Sequence, residues 1–160
     1  MSRALTVRAN ALARSIMTPC GVSVPFDPRV QAQHTFASYT GLWDTGATGT
    51  VVTQRVVDDL KLPVVGKVKV HNTDGEKESP VYLANLALPN QVLFPGVRVT
   101  VGILKGFDVL IGMDIITTGD FAITNVGGKT VFSFRVPSTK EIDFSAESTA
   151  PKLPEIRTSP

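Results

Sequence analysis

The sequence contains little of what several classes of protein require. Its single cysteine, Cys20, excludes an intramolecular disulfide and offers no metal cluster. No apolar run approaches the ~20 residues of a membrane-spanning helix. The net charge of +2 is small and the basic residues are scattered, which disfavours nucleic-acid binding. These absences predict a protein that has no metal, no other cofactor, and no nucleic-acid or membrane partner.

The N-terminal segment lacks the continuous apolar stretch of a signal peptide, so we expect a cytoplasmic protein. A chain of 160 residues is long enough for one domain with a core and short for two. We expect residues 1–20 to form a strand or arm, which leaves open an interface, regulatory or self-cleaved role. Residues 21–137 are predicted to be the folded domain. Residues 138–160, rich in Ser, Thr, Pro and charge, are predicted to be a disordered tail.

Apolar and polar residues alternate with a period of two through most of the chain, with breaks at Gly, Pro, Asn and Asp. This pattern predicts an all-β fold of many short strands. The clearest strand patterns lie at residues 5–7, 21–24, 68–70, 81–83, 97–101, 107–111, 121–123 and 130–134. Two segments break the pattern and favour helix. Val56 and Leu60 have helical spacing within residues 53–60, and a shorter helical turn is predicted at residues 114–116.

The most informative feature that is present is Asp44-Thr45-Gly46-Ala47. It follows an apolar strand and enters a turn of small residues, which can present a carboxylate at the floor of a cleft. Alone, Asp-Thr-Gly is weak evidence, because the triplet arises by chance in a few per cent of chains this long. It can also be an ordinary turn in which the Asp caps backbone amides. A second motif, Val109-Leu110-Ile111-Gly112-Met113-Asp114, follows downstream.

Together, the two motifs resemble those of the retropepsin-like aspartic proteases, the single-lobed relatives of pepsin that include the retroviral proteases. The resemblance covers residues 41–135 and includes Thr50, which follows Asp44 at the family's spacing. It implies a single-lobed acid-protease β-barrel with a flap hairpin and one or two short helices. It also implies an aspartic endopeptidase that acts on protein or peptide substrates.

The family's chemistry needs two neighbouring aspartates, of which one holds a proton while the other activates a water molecule. This chain has a single Asp-Thr-Gly. Asp58 and Asp59 fall on the exposed side of the predicted helix, and the resemblance gives Asp114 a structural place. It therefore implies a homodimer in which two Asp44 carboxylates, related by a two-fold axis, share one active site.

The resemblance also implies roles for the residues that follow Asp44. Thr45 is expected to hydrogen-bond across the axis to its symmetry mate, and Gly46 to let the substrate backbone approach. Ala47 stands where some relatives have a serine that donates to the carboxylate and favours its ionised form. The absence of that donor implies activity at mildly acidic to near-neutral pH.

In the second motif, Asp114 is expected to hydrogen-bond Thr50, so that Gly112 and Asp114 tie this motif beneath the active loop. This role is structural. The chain departs from the retroviral pattern at Thr48 and Met113, where those enzymes place an acid and an arginine that pair. A different packing contact is expected to replace that pair.

A hairpin predicted around Asp74-Gly75 lies where the family's mobile flap closes over the substrate. Thr73, Asp74 and Gly75 are therefore candidate flap and substrate residues. The tip is polar and acidic, without the glycine-rich apolar tip of the retroviral enzymes, so an ordinary solvated hairpin is the alternative interpretation.

Two other functions stay open at this point. The chain could be a non-catalytic binding or oligomerisation module that keeps the fold, or a small β-barrel unrelated to proteases in which Asp44 is a turn residue. For the dimer, we predict that residues 130–136 supply the interface strand. Trp43, on the opposite side of its strand from Asp44, is predicted to pack in the core or the interface.

Overall fold

The computed structural model describes residues 1–27, 29–30, 35–72 and 75–147, without the side chains of residues 70–77. This part of the chain contains two short helices, α1 (Gln54–Leu60) and α2 (Met113–Ile116). Its strands are β1 (Arg3–Arg8), β2 (Met17–Ser23), β3 (Ala37–Trp43), β4 (Val51–Val52), β5 (Val64–Asn72), β6 (Gly75–Ala87), β7 (Leu93–Val101), β8 (Val109–Ile111), β9 (Asp120–Thr124) and β10 (Val131–Val136). The predicted all-β class is confirmed, and both predicted helical segments are present.

Six strands close into a barrel. Their order is β2-β3-β8-β4-β7-β6, and β6 pairs again with β2 through residues 21–23 and 85–87. Closure pairs the edges of these strands with one another. Side chains alternate in and out, as in β3, where Tyr39, Gly41 and Trp43 are buried and the residues between them are more exposed. β5 lies outside this closed ring as the hairpin partner of β6.

A smaller sheet of three antiparallel strands has the order β1-β10-β9. This arrangement contradicts the prediction that residues 130–136 supply the strand of the dimer interface. β10 is the central strand of the small sheet, with β1 paired along one edge and β9 along the other. Both of its rows of backbone groups are therefore occupied, so β10 has no edge left for a second chain.

Trp43 joins the two sheets. Its ring, at the end of β3, packs against Phe121, Phe132 and Phe134 of the small sheet, with centroid distances of 5.9, 5.1 and 4.8 Å. The indole Nε1 donates to Thr18 Oγ1 at 3.0 Å, which satisfies the one polar atom of the ring. The predicted packing of Trp43 in the core is confirmed.

The predicted division into residues 1–20, 21–137 and 138–160 stays a prediction. Strand β1 lies in the first of these segments, and a 3₁₀ turn occupies Phe144–Glu147 in the last. Residues 148–160 of the predicted tail lie outside the described residues. Across the described part of the chain, no helix is long and apolar enough to cross a membrane.

Candidate active site

The loop that carries Asp44 bridges two strands of the barrel across a third. β3 ends at Trp43, β4 begins at Val51, and β8 lies between them, parallel to β3 and antiparallel to β4. The loop of residues 44–50 therefore crosses the carboxyl end of β8. The Asp44 amide donates to Ile111 O at 3.0 Å, which extends the β3–β8 pairing by one residue and fixes where the carboxylate begins.

The loop's own backbone orients the carboxylate. The Gly46 amide donates to Asp44 Oδ1 at 2.8 Å, and the Ala47 amide to Asp44 O at 3.4 Å. The side chain is half-buried. Within the described residues, Oδ2 of Asp44 accepts no hydrogen bond. One carboxylate oxygen is thus fixed by the loop, and the other is available to a water molecule or to a second carboxylate.

Thr50 and Asp114 tie the loop to the second motif, and the predicted hydrogen bond between them is present. Thr50 Oγ1 donates to Asp114 Oδ1 at 2.8 Å, and the Thr50 amide donates to Asp114 Oδ2 at 3.0 Å. The Gly112 amide donates to Thr50 Oγ1 at 3.3 Å. Thr50 is only 1% exposed whereas Asp114 is an exposed residue, so these partly buried bonds join the far end of the Asp44 loop to the start of α2.

Gly112 lets the second motif approach the loop closely. The Met113 amide donates to Ala47 O at 2.8 Å. A Cβ atom at Gly112 would lie only 2.5 Å from Gly49 O, a backbone atom, so any larger residue would push the loop away. Glycine is needed here because two backbones meet.

A cavity of about 250 Å³ opens beside the carboxylate. Its walls come from Asp44 and Thr45, from the segment of residues 13–16, and from Phe121, Ile123 and Asn125 around β9. Arg14 adds a positive charge to this lining. The sequence reasoning missed the walls from residues 13–16 and 121–125, because they lie far from Asp44 along the chain and carry no local motif.

The candidate flap residues are not brought to this cavity by the part of the chain that the structure describes. β5 and β6 do form a long hairpin, in which Asn72 pairs with Gly75, the first residue of β6. Thr73 and Asp74 lie outside the described residues. None of the cavity's described walls comes from β5 or β6, so the flap role stays a prediction.

The other acidic side chains near the barrel have partners of their own. Asp58 accepts from Gln54 Nε2 at 2.8 Å on the exposed face of α1, and Asp59 accepts from Tyr39 Oη at 3.3 Å. Asp108, which the sequence reasoning also missed, forms an ion pair with Arg55 at 2.6 Å. This pair links α1 to the start of β8, and no local motif signals it because 53 residues separate the two partners.

Cys20 and the departures from the retroviral pattern have structural explanations. The Cys20 thiol is buried, and burial raises its pKa to about 12, which disfavours the reactive thiolate. Thr48 is exposed, whereas Met113 packs against the hydrophobic core. Among the described residues, no three His, Cys, Asp or Glu side chains come together as metal ligands.

Comparisons with known proteins found one family and several similar structures. A model of the family described as "gag-polyprotein putative aspartyl protease" matches residues 31–118, more than half of the chain. Among solved structures, the chain is similar to a retropepsin-like aspartic protease from Rickettsia conorii, with 13% identity, a TM-score of 0.47, and coverage of 85% of this chain and 96% of that one. It is also similar to the protease of Simian Foamy Virus (mac), with 18% identity, a TM-score of 0.42, and coverage of 61% and 89%. No curated protein matches by sequence.

Proposed function

Because the chain belongs to this family of gag-polyprotein aspartyl proteases, we propose that it is an aspartic endopeptidase whose active site is shared by two copies of the chain. Its substrates are protein or peptide segments. Its predicted cytoplasmic location stays a prediction.

The observation that carries this proposal is the single Asp44 carboxylate, oriented by the loop and open to one side. The other aspartates considered as a second catalytic group already have hydrogen-bond or ion-pair partners within the chain. Both oxygens of Asp114 accept from Thr50, and Asp120 is paired with Arg135. Since catalysis needs two adjacent carboxylates, the second is Asp44 of a two-fold-related copy.

In this arrangement, a water molecule lies between the two Asp44 carboxylates, which share one proton because both cannot be ionised about 3 Å apart. The ionised carboxylate takes a proton from the water as its oxygen attacks the peptide carbonyl carbon. The protonated carboxylate donates to the carbonyl oxygen. Proton transfer to the amide nitrogen then releases the amine as the C–N bond breaks. The Gly46 amide, bonded to Oδ1, holds each carboxylate in place for these transfers.

The roles of the neighbouring residues belong to the same proposal. Thr45, exposed at the rim of the cavity, hydrogen-bonds to its mate across the axis. Ala47 supplies no side-chain donor to the carboxylate, so activity extends from mildly acidic toward neutral pH. Residues 73–75 act as the tip of a flap over the substrate.

The experiment compares the wild type, Asp44→Asn and Asp58→Asn on an unfolded protein substrate at about pH 4 to 8, a range that starts near the ordinary pKa of an aspartate and covers the expected mildly acidic to near-neutral activity. We expect cleavage by the wild type and by Asp58→Asn, a matched change of an exposed carboxylate on α1, and none by Asp44→Asn. Equal cleavage by the wild type and Asp44→Asn would exclude the assignment of Asp44.

The second candidate function is a non-catalytic binding or oligomerisation module that keeps this fold. It is favoured by the loss of the retroviral ion pair, since Thr48 is exposed and Met113 packs against the core. On this alternative, the wild type forms dimers but cleaves nothing across the same pH range.

A further inference from the structure

Arg14 carries a positive charge beside Asp44 that the described part of the chain does not neutralise. Both side chains line the same cavity of about 250 Å³. Among the described residues, no ion pair or hydrogen bond involves the Arg14 guanidinium, and none joins it to Asp44. Arg14 is also exposed. Its N–H groups are therefore available to a ligand that enters the cavity.

Asn125 brings a second donor group to the cavity. Its Oδ1 accepts from Thr130 Oγ1 at 2.7 Å, so Nδ2 is the part of the amide that is left for other partners. Nδ2 donates to none of the residues that the structure describes. The cavity thus combines the charged donors of Arg14 with a neutral amide donor.

Thr130 fixes the positions of both donor groups. Its hydroxyl accepts from the Ala13 amide at 2.9 Å and donates to Asn125 Oδ1. The Thr130 amide donates to Ala11 O at 3.2 Å. Because Thr130 is only 2% exposed, water competes little for these bonds. One buried residue therefore positions both the segment that carries Arg14 and the turn that carries Asn125.

Two donor groups of this kind favour a carboxylate as their ligand. An ionised carboxylate only accepts hydrogen bonds, and its bonds to a guanidinium are stronger than bonds between neutral groups. A glutamine side chain has no charge and carries donors of its own, and a lysine would be repelled by Arg14. The two Asp44 carboxylates of the proposed site share one proton, so the pair carries a single negative charge that Arg14 offsets.

The rest of the cavity suits the apolar stem of such a side chain. Its apolar walls include Ile16, Trp43, Phe121 and Ile123. Apolar surroundings exclude water and strengthen a charged hydrogen bond. The volume of about 250 Å³ lies below the roughly 300–1,000 Å³ of pockets for drug-sized ligands. The cavity therefore has the size for one amino-acid side chain.

We propose that this cavity binds an acidic side chain of the substrate, with Arg14 pairing with its carboxylate and Asn125 Nδ2 donating a second hydrogen bond. The proposal rests on the proposed function, which puts the scissile bond at Asp44. It deepens that function by naming the substrate class, which is protein or peptide segments with Asp or Glu close to the bond that is cut. Thr130 touches no substrate and is a positioning residue.

The test measures peptide binding to Asp44→Asn, in which the peptides stay uncleaved. Short peptides with blocked ends carry one glutamate, which is moved through successive positions of a neutral sequence. Each is compared by calorimetric titration with the same peptide carrying glutamine. We expect glutamate at one position to bind about tenfold more tightly than glutamine. The proposal is overturned if no position prefers glutamate, or if no peptide binds.

Two arginine variants in the same background locate the preference. Arg14→Gln removes the charge at an exposed position, where folding is not at risk, and should abolish the preference for glutamate. Arg8→Gln is the matched control, because Arg8 is an exposed residue of β1 that does not line the cavity. It should keep the preference. A preference for glutamate that survives Arg14→Gln overturns the proposal.

Two variants of Thr130 test its positioning role. Thr130→Val removes the hydroxyl and keeps the shape of the side chain, whereas Thr130→Ser keeps the hydroxyl. We expect Thr130→Val to weaken the binding of the glutamate peptide and to change the binding of the glutamine peptide little. Thr130→Ser should retain the preference. Equal weakening of both peptides by Thr130→Val would overturn the positioning role.

Cleavage of an unfolded protein by the wild type separates this proposal from the proposed function. A preference for glutamate that depends on Arg14, without any cleavage, keeps the carboxylate site and overturns the protease. Cleavage that occurs beside glutamine as readily as beside glutamate keeps the protease and overturns the carboxylate site.

Discussion

The barrel and the small sheet differ in how their edges are used. In the barrel, six strands pair in a closed ring and the Asp44 loop is fixed to β8 and α2 at several points. In the small sheet, only β10 is paired on both sides, and β9 presents a free edge beside the same carboxylate. The barrel therefore holds the Asp44 carboxylate in a fixed position, while the small sheet leaves a strand edge unpaired beside it.

The barrel and the small sheet pack against each other at Trp43. A substitution at this contact therefore tests whether the two regions unfold together. Phe134 is fully buried and lies 4.8 Å from Trp43 between ring centroids. Phe134→Ala would remove this contact and leave a cavity, and we expect a loss of about 3–5 kcal/mol in the free energy of unfolding. Urea unfolding should be followed by tryptophan fluorescence, which reports Trp43 alone, and by circular dichroism.

Coincident transitions by the two probes, both shifted to lower urea, are the expected result. Val126→Ala, at a highly exposed position of the turn after β9, is the control and should shift neither. If fluorescence changes at lower urea than circular dichroism, the small sheet separates from an intact barrel and the two regions are not one cooperative unit.

The fixed loop of the barrel can be tested with two glycines that lie against each other. Gly112→Ala would drive a Cβ atom to 2.5 Å from Gly49 O, whereas Gly49→Ala meets nothing within 4 Å. We expect Gly112→Ala to cost about 1–3 kcal/mol, as overpacking usually does, and to lower the cleavage rate by moving the Asp44 loop.

Thermal unfolding and cleavage rates of the two variants check this prediction. Gly49→Ala should lose far less thermal stability and far less cleavage rate than Gly112→Ala, because its new methyl group has room. Equal losses from both substitutions would mean that the close approach of the second motif does not hold the loop.

The smallest expected effect concerns the pH dependence of the small sheet. Hydrogen bonds from Ser138, Arg135 and the Thr139 amide hold the pKa of Asp120 well below its ordinary value of 3.8. Because the folded pKa is lowered, the stabilisation is present above the unfolded pKa and is lost as the pH falls through the folded one. Asp120→Asn should therefore be slightly less stable at neutral pH.

The measurement is the unfolding midpoint of both proteins at about pH 7 down to about pH 2. This range includes the pH at which an aspartate of the unfolded chain becomes protonated. The difference in unfolding midpoint between the wild type and Asp120→Asn should shrink as the pH falls below about 4. A difference that stays constant over the whole range would mean that the charge of Asp120 does not contribute.

Local signals in the sequence were enough to predict the class of the fold and the turn that carries Asp44. Alternation of period two marked the strands, the spacing of Val56 and Leu60 marked α1, and the small residues after Asp44 marked the turn. The bond between Asp114 and Thr50 was predicted from the resemblance of the two motifs to those of a known family. In each case the determining residues lie within one short segment or in a recognisable pair of segments.

The pairing of the strands could not be predicted in the same way. Alternation in residues 130–134 shows that one face is buried, but it does not show how many neighbours the strand has. β10 became the central strand because β1, more than 120 residues earlier in the chain, pairs with it from Arg3 to Arg8. The walls of the Asp44 cavity depend on the same long-range contacts.

The most direct test of the shared site mixes active and inactive chains. Wild type is equilibrated with a ninefold excess of Asp44→Asn, and cleavage is measured per wild-type chain. After exchange, about one wild-type chain in ten has a wild-type partner, so activity per wild-type chain should fall about tenfold. Undiminished activity per wild-type chain would show that a single chain carries a complete active site, which contradicts a site shared by two copies.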